Sequence, residues 1–533
     1  MATPSLAMIP SAIADSKVYS VLPNNGDGDF TFNRDSSATR VGQNGLIQTV
    51  GYFGSEEVTN GDFATDSDWV KGTGWTISGG KANANTVGDY ITLYQNSVLT
   101  IGKNYKSSFT VTDYTQGTIR LTQGGSDISG QKNSVGTYVN YFTATNTTID
   151  LQGISSFIGS IDNVSVKEVT GDQPRLNYDI SNGVVQSCPS LLLEPASTNL
   201  ITYSEAFDNA YWTKSGSSVA SGFTSPSGDL SAFKFAEDGT NSYHYCRRLT
   251  VAVASASIVT LSLFAKKSEN SYVALFEGRS GGTVFFNLET KTVVSASGGA
   301  SGTIEQLPND WCKIALTVTV PSTIANFEIY NSNDGTSLTY QGVSGNGVYI
   351  WGAQLEQLSY ATSYIPTTGA SQTRAAETCF GAGTSSTFNS TEGVLYAEIS
   401  ALADDLTNRT IALSDGTTSN TVRIQYLTVS NSIWATITNI GAGGNQAILQ
   451  YTSSDITINS KVALKYKAND FSLFVNGIKV ATDTSGVTFT SNTLNTFQFD
   501  RGNGAESFYG NTKDIRVYNE ALTDAQLQTL TTL

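Results

Sequence analysis

Hydrophobic and polar positions alternate along this chain in short runs, broken repeatedly by Gly, Asn, Asp and Ser. Runs of this kind, spaced by about 8–12 residues, are the pattern of antiparallel sandwiches and barrels. In Lys461-Val462-Ala463-Leu464-Lys465-Tyr466-Lys467 the period of two puts Val462, Leu464 and Tyr466 on one face and predicts that the lysines meet water. Phe471 to Val480 reads as a hairpin, because Asn476-Gly477 can supply the two positive φ angles of a type I′ turn. Helical spacing is confined to the C-terminus. There Thr523 can cap a helix, Gln526 can return the bond of a capping box, and Leu522 and Leu527 are placed as a hydrophobic staple. A helix so short is marginal alone and must lie against a sheet. The predicted fold class is all-β: tandem antiparallel β-sandwiches on a small N-terminal framework, with one short C-terminal helix.

Three sandwich modules separate. The framework is residues 1–55, continued by 170–198. Residues 56–169 form a module inserted into it, 199–376 a second module, and 377–533 a third. The first module opens on Asn60-Gly61-Asp62-Phe63, continues through Trp69 and Trp75, and closes on Ile161-Asp162-Asn163-Val164-Ser165-Val166. The second opens on Asn199 to Glu205, with Phe207 and Trp212 following, and closes on Val348 to Glu356. The openings and closings rhyme, as two divergent copies of one sandwich type would. Trp212 and Trp351, in the repeated stretches, are read as core. Insertion of a module at a loop tip costs little.

Composition narrows the function. Only 14% of the 533 residues are charged, against about 25% in an average globular chain. Lys+Arg 30 against Asp+Glu 45 leaves a formal charge of −15, which argues against nucleic-acid binding and against a polybasic membrane anchor. His244 is the single histidine, so no site can use two, and the HExxH zinc and two-His iron arrangements are excluded. It reads as a packed or surface residue. Cys188, Cys246, Cys312 and Cys379 are far apart, with no CxxC pair, and are expected to be mostly buried, reduced thiols. No apolar run approaches the ~20 residues of a membrane span. Met1 to Pro10 lacks the basic end and apolar stretch of a signal peptide, so synthesis in the cytoplasm without secretion is expected.

Specific residues resemble known families. Ser5 to Ser11, Lys17 to Pro23, Asp29 to Arg34, Ala38 to Val41 and Asn44 to Ile47 resemble the start of tailed-bacteriophage structural proteins. In such proteins that segment usually runs directly into a stretch like Pro174 to Tyr178 and then the pattern seen here from Cys188 to Glu205. The first module resembles jelly-roll carbohydrate-binding modules that begin NGDF and end on an IDNVSV-like strand. The third resembles a laminin-G or concanavalin-like lectin sandwich, through the Leu473 to Val480 hairpin and the ending Asp514 to Leu527.

The resemblance implies a non-enzymatic virion appendage, a tail fibre, spike, head fibre or decoration protein. It implies partners among other virion proteins, reached through the framework, and host-surface polysaccharide reached through lectin-like modules. By analogy with phage fibres it implies a homo-oligomer, a trimer. No cofactor is required. A purely structural virion role and a capsule-degrading tailspike are the alternatives.

Sugar binding needs rings for the apolar face of a pyranose and amides or charged groups for its hydroxyls. Trp69, Trp75, Tyr90, Tyr94, Tyr105 and Tyr114 are the candidates in the first module, and Arg423, Tyr426 and Trp434 in the third. Each aromatic has core packing as the competing reading. If its strand is regular, Asp162 shares a face with Val164 and Val166, and a carboxylate there needs a partner. In similar jelly-roll modules a structural Ca²⁺ joins the first and last strands, which here makes Asn60, Asp62 and Asp162 the candidate ligands, or Asp162 a turn cap. Asn24 to Asp29 is oxygen-rich like a cation loop, but its spacing does not match the EF-hand pattern, and it reads as a plain turn. Concanavalin-like hydrolases usually carry Glu-x-Asp-x-x-Glu on one strand. This chain has no such cluster, and Asp404-Asp405, if on a strand, would point to opposite faces.

Overall fold

The computed structural model describes residues 2–170 and 172–533. The chain is all-β, with antiparallel sheets and a single α-helix, Asp524–Thr531, among the described residues.

In the first module Asn104–Gln123 and Ile149–Thr170 pair along most of their lengths, with repeated register shifts. Each shift bends the strands, so the two run through both layers of the sandwich. The second module is two six-stranded sheets around Trp212, Phe235, Leu263, Ile314 and Phe327. Its likeness to the first extends to a single hydrogen bond. Phe63 lies 5.3 Å from Trp69, whose Nε1 donates to the Asn60 carbonyl at 3.0 Å. Phe207 lies 5.0 Å from Trp212, whose Nε1 donates to the Tyr203 carbonyl at 2.9 Å. In both modules the indole reaches back nine residues. Gly61 is required in this opening, because a Cβ there would lie 2.0 Å from the Val164 carbonyl oxygen.

The C-terminal sandwich is larger than residues 377–533 alone. Leu6–Met8 and Val184–Leu193 both pair with Gly510–Tyr518, and Phe30–Asn33 pairs with Thr378–Ala382. Leu6, Met8, Phe30, Phe32, Leu191 and Leu193 share one core with Leu395, Val462 and Phe497. The framework therefore supplies strands to both sheets of this sandwich.

Charged residues of the framework motifs meet in one buried cluster. The Arg34 Nη1 lies 2.9 Å from Glu377, and the Arg175 Nη1 lies 2.6 Å from Glu194. Arg175 also binds both oxygens of Glu377. Arg374 closes on Glu194 at 3.0 Å. All five side chains are buried. Burial alone would raise the Glu194 carboxyl, but Arg374 and Arg175 outweigh it and hold it well below the usual carboxylate range. Breaking a buried ion pair by removing one partner typically costs ~3–5 kcal/mol, because the other charge is stranded.

The Asn476-Gly477 turn has both φ values positive, 48° and 80°, with Val475 opposite Ile478. Thr523 and Gln526 form both bonds of the capping box. Leu522, Leu527 and Leu530 pack on Val394, Tyr396, Ala463 and Phe474. That packing overturns one expectation. Val462, Leu464 and Tyr466 do face the core, but Lys465 does not face water. It is 5% exposed and pairs with Asp470 at 2.7 Å and with Asp524, on the helix, at 3.6 Å.

His244 is fully buried, its Nδ1 2.6 Å from the Gly216 carbonyl and its Nε2 3.3 Å from that of Tyr340. Cys246, Cys312 and Cys379 are buried and unpaired, and Cys188 is exposed. Burial pushes the Cys246 thiol up to about 12.

Candidate functional site

In the C-terminal sandwich, alternation along Asn420–Tyr426 sends Val422, Ile424 and Tyr426 into the core and turns Thr421, Arg423 and Gln425 to the opposite face, where they too are buried, Arg423 at 6% and Gln425 at 5% exposed. The neighbouring strand Ser432–Asn439 buries Ile433, Ala435 and Ile437 and presents Trp434, Thr436 and Thr438 on that same face. Register places Arg423 opposite Thr436 and Gln425 opposite Trp434. Arg423 and Trp434 are thus diagonal neighbours on one sheet face, close enough for long side chains to meet one ligand.

The local bonds hold this face in place. Trp434 is half-buried and its Nε1 donates to Ser432 Oγ at 2.7 Å. The Gln425 amide donates to Thr410 Oγ1 at 3.2 Å. Arg423 Nη2 donates to Thr438 Oγ1 at 3.1 Å, while its Nε is buried without a partner. Burial first, then the nearby Arg501, pushes the Arg423 guanidinium down to about 10. Arg501 itself pairs with Glu506 at 2.8 Å. Arg423, Gln425, Thr436 and Thr438 are all buried, so a ligand would reach this face at half-buried Trp434 and Arg501, an indole and a guanidinium that suit a hydroxyl-rich ligand offering acceptors. Tyr426 is not part of this face. It is 1% exposed and lies 6.0 Å from Phe508.

In the first module most of the candidate rings are core. Trp69, Trp75 and Tyr105 are buried. Trp75 lies 6.4 Å from Phe157, and Tyr105 stacks on Phe142 at 5.9 Å. Tyr114 is half-buried against that core and donates to the Gly117 carbonyl. Tyr94 is half-buried opposite Asp150. Tyr90 alone is open, 69% exposed, with the Arg120 guanidinium 5.9 Å from its ring centre. Arg120 is held in turn by Gln152 and by Asp127 at 3.3 Å.

Asp162 does not lie on the core face expected for it. Asn163 takes a φ of 53°, and the register shifts between the Ser108–Ser165 and Thr110–Asp162 pairs. This extra residue turns Asp162 off the face of Val164 and Val166, both buried, and sets it beside half-buried Thr110. Asp162 accepts the Asn163 amide at 2.7 Å. Asn60 spends both ends of its amide on Thr65 and Ser67, and Asp62 accepts the Ala64 amide at 3.4 Å. Each proposed cation ligand therefore has a local partner.

The remaining acids are also tied locally. Asp404 and Asp405 lie in a loop, not a strand, where Asp404 accepts the Ser430 hydroxyl and Asp405 pairs with Arg409 at 2.8 Å. In the Asn24 to Asp29 segment, Asn25 and Asp27 bond one another, as in a turn. Sequence reasoning missed a different group. Lys106, Lys132, Tyr141, Tyr203, Glu205 and Asp229 line a cleft of about 390 Å³ between the first two modules. They lie far apart along the chain, so no spacing signal links them.

Residues 396–528 match the family model Laminin_G_3, described as the concanavalin A-like lectin/glucanases superfamily. The C-terminal sandwich is similar to those lectins. The match includes Arg423 and Trp434 and covers about a quarter of the chain. No curated protein matches the sequence. Among solved structures, the carbohydrate-binding module CBM40 of the Ruminococcus gnavus IT-sialidase, bound to α2,3-sialyllactose, is 18% identical. That match covers 26% of this chain and 83% of that one at a TM-score of 0.23. The tandem CBM22 domains of Paenibacillus barcinonensis Xyn10C are 11% identical over 58% of this chain and 98% of theirs, at 0.21. Mouse laminin α1 domains LG4-5 are 9% identical over 52% and 87%, at 0.19. The sheets described above establish the fold class.

Proposed function

We propose that this chain is a non-enzymatic appendage protein of a bacteriophage virion that attaches to host-surface glycans through its lectin-like modules. The reading is carried by one juxtaposition, half-open Trp434 and buried Arg423 on a single face of the sandwich that resembles concanavalin-type lectins. The phage assignment rests on the framework motifs from Ser5 to Ile47 and from Pro174 to Glu205. The buried arginine–glutamate cluster gives those motifs a structural reason to occur together. Weak single contacts would be multiplied by copies acting together, and a trimer, by analogy with phage fibres, would supply them.

The test is a glycan array probed with the whole chain, alongside assay of host capsule for released oligosaccharide. Binding without release is expected. Trp434→Ala, which removes a half-buried ring, is expected to weaken binding by about tenfold or more without shifting the melting of the first module. Absence of binding to any glycan would leave a purely structural protein, and released oligosaccharide would make it a depolymerase. Either result overturns the proposal.

A further inference from the structure

The cleft between the first two modules has walls of opposite character. On the first-module side stand two lysines. Lys106 Nζ lies 4.9 Å from the Phe53 ring and 5.9 Å from that of Tyr141, and Lys132 Nζ lies 5.1 Å from Tyr138. Among the described residues neither ammonium closes an ion pair; the contacts found for both are aromatic faces. Burial, and then Lys167, pushes the Lys106 ammonium below its usual range. Lys132 already feels Glu205 and Asp208 at longer range, whereas the charge acting on Lys106 is that of Lys167; a half-buried cation so placed is costly, and a bound carboxylate would relieve it.

The second-module wall is already built. Glu205 accepts the Tyr364 hydroxyl at 2.9 Å, and that hydroxyl meets Ser204 Oγ at 2.7 Å. Asp229 accepts from the Ser225 hydroxyl at 2.7 Å and from the Ser231 amide and hydroxyl, and Ser231 in turn receives the Trp351 indole N–H at 2.8 Å. Fixed carboxyl oxygens of this kind accept sugar hydroxyls without first having to be ordered. Tyr141 and Tyr203, both half-buried, offer ring surface between the walls. The volume of about 390 Å³ falls in the ~300–1,000 Å³ range of small-molecule sites.

We propose that this cleft is a second ligand site, which takes a carboxylated sugar with its carboxylate toward Lys106 and Lys132 and its hydroxyls toward Glu205 and Asp229. The proposal extends the glycan reading to a new place and fails separately from it, because neither Arg423 nor Trp434 lines the cleft.

The experiment is calorimetric or saturation-transfer titration of the full chain with D-glucuronate and, in parallel, D-glucose. Glucuronate is expected to bind about tenfold tighter than glucose or better. Lys132→Met should remove that preference, Lys132→Arg should keep most of it, and Trp434→Ala should leave it unchanged. Lys106→Met provides a second removal of charge, and unchanged melting of each variant shows that it folds. Equal binding of the two sugars overturns the proposal. So does native glucuronate binding in both lysine-to-methionine variants, or its loss in Trp434→Ala with retention in Lys132→Met.

Discussion

At Glu205 a carboxyl group stands half-buried on the wall of the inter-module cleft. Burial first, and then the nearby charge of Asp229, raises its pKa from 4.5 to about 7, while the Tyr364 hydroxyl and Lys132 pull the other way without prevailing. In the folded chain this group therefore keeps its proton through a window in which the unfolded chain has lost it. The folded state binds the extra proton between about pH 4.5 and 7, so stability falls as pH rises through that window. Glu205→Gln removes the titration and keeps the shape. The melting temperature of the variant is expected to gain on that of the native protein between about pH 5 and pH 8. Parallel melting curves for the two proteins across that range would show that the carboxyl is not held protonated by the fold.

The elements were legible where a short-range pattern decides them. Alternation located the 460–467 strand, the dipeptide Asn476-Gly477 located its hairpin, and Thr523 with Gln526 located the helix. The helix depends on that cap. Thr523→Ala is expected to cost ~0.5–2 kcal/mol, read as a lowered denaturation midpoint of the C-terminal sandwich, while Thr523→Ser should restore most of it. A midpoint indifferent to both would mean that packing of Leu527 and Leu530 holds the helix without its cap. What pattern alone missed was tertiary. Lys465 is covered because a helix more than fifty residues later folds over its face. Asp162 changes face because one residue, Asn163, bulges. Arg423 and Trp434 become diagonal neighbours through strand register, which two separate candidates in a sequence do not reveal. Tyr426, two strand positions from an outer residue's neighbour, simply follows the core parity.

For the whole molecule, the question is whether the first module is needed by the rest. Its ends are adjacent: Glu56 pairs with Lys167 and Phe53 with Val169, as antiparallel neighbours. On either side of it the framework is joined without its help. The backbone amides of Arg34 and Asp35 donate to the Asp172 carboxylate at 2.7 and 2.8 Å, and the Arg34 guanidinium reaches the Gln173 carbonyl at 2.9 Å. The ion-pair cluster of Arg34, Arg175, Glu194, Arg374 and Glu377 also contains no residue of the module. The first module has its own core, from Val58 to Val166. Replacing residues 57–166 by a short Gly/Asn turn should therefore leave the C-terminal sandwich cooperative, since closing a shorter loop between fixed ends costs no more than closing a longer one. The expected result is a shortened chain that keeps the melting transition of the C-terminal sandwich within a few degrees and keeps the Trp434-dependent glycan binding, but loses all preference for glucuronate along with Lys106 and Lys132. If the shortened chain instead melts without cooperativity, the contacts between Tyr141 and Thr368 and their neighbours across the cleft are structural supports, and the three sandwiches fold as one unit.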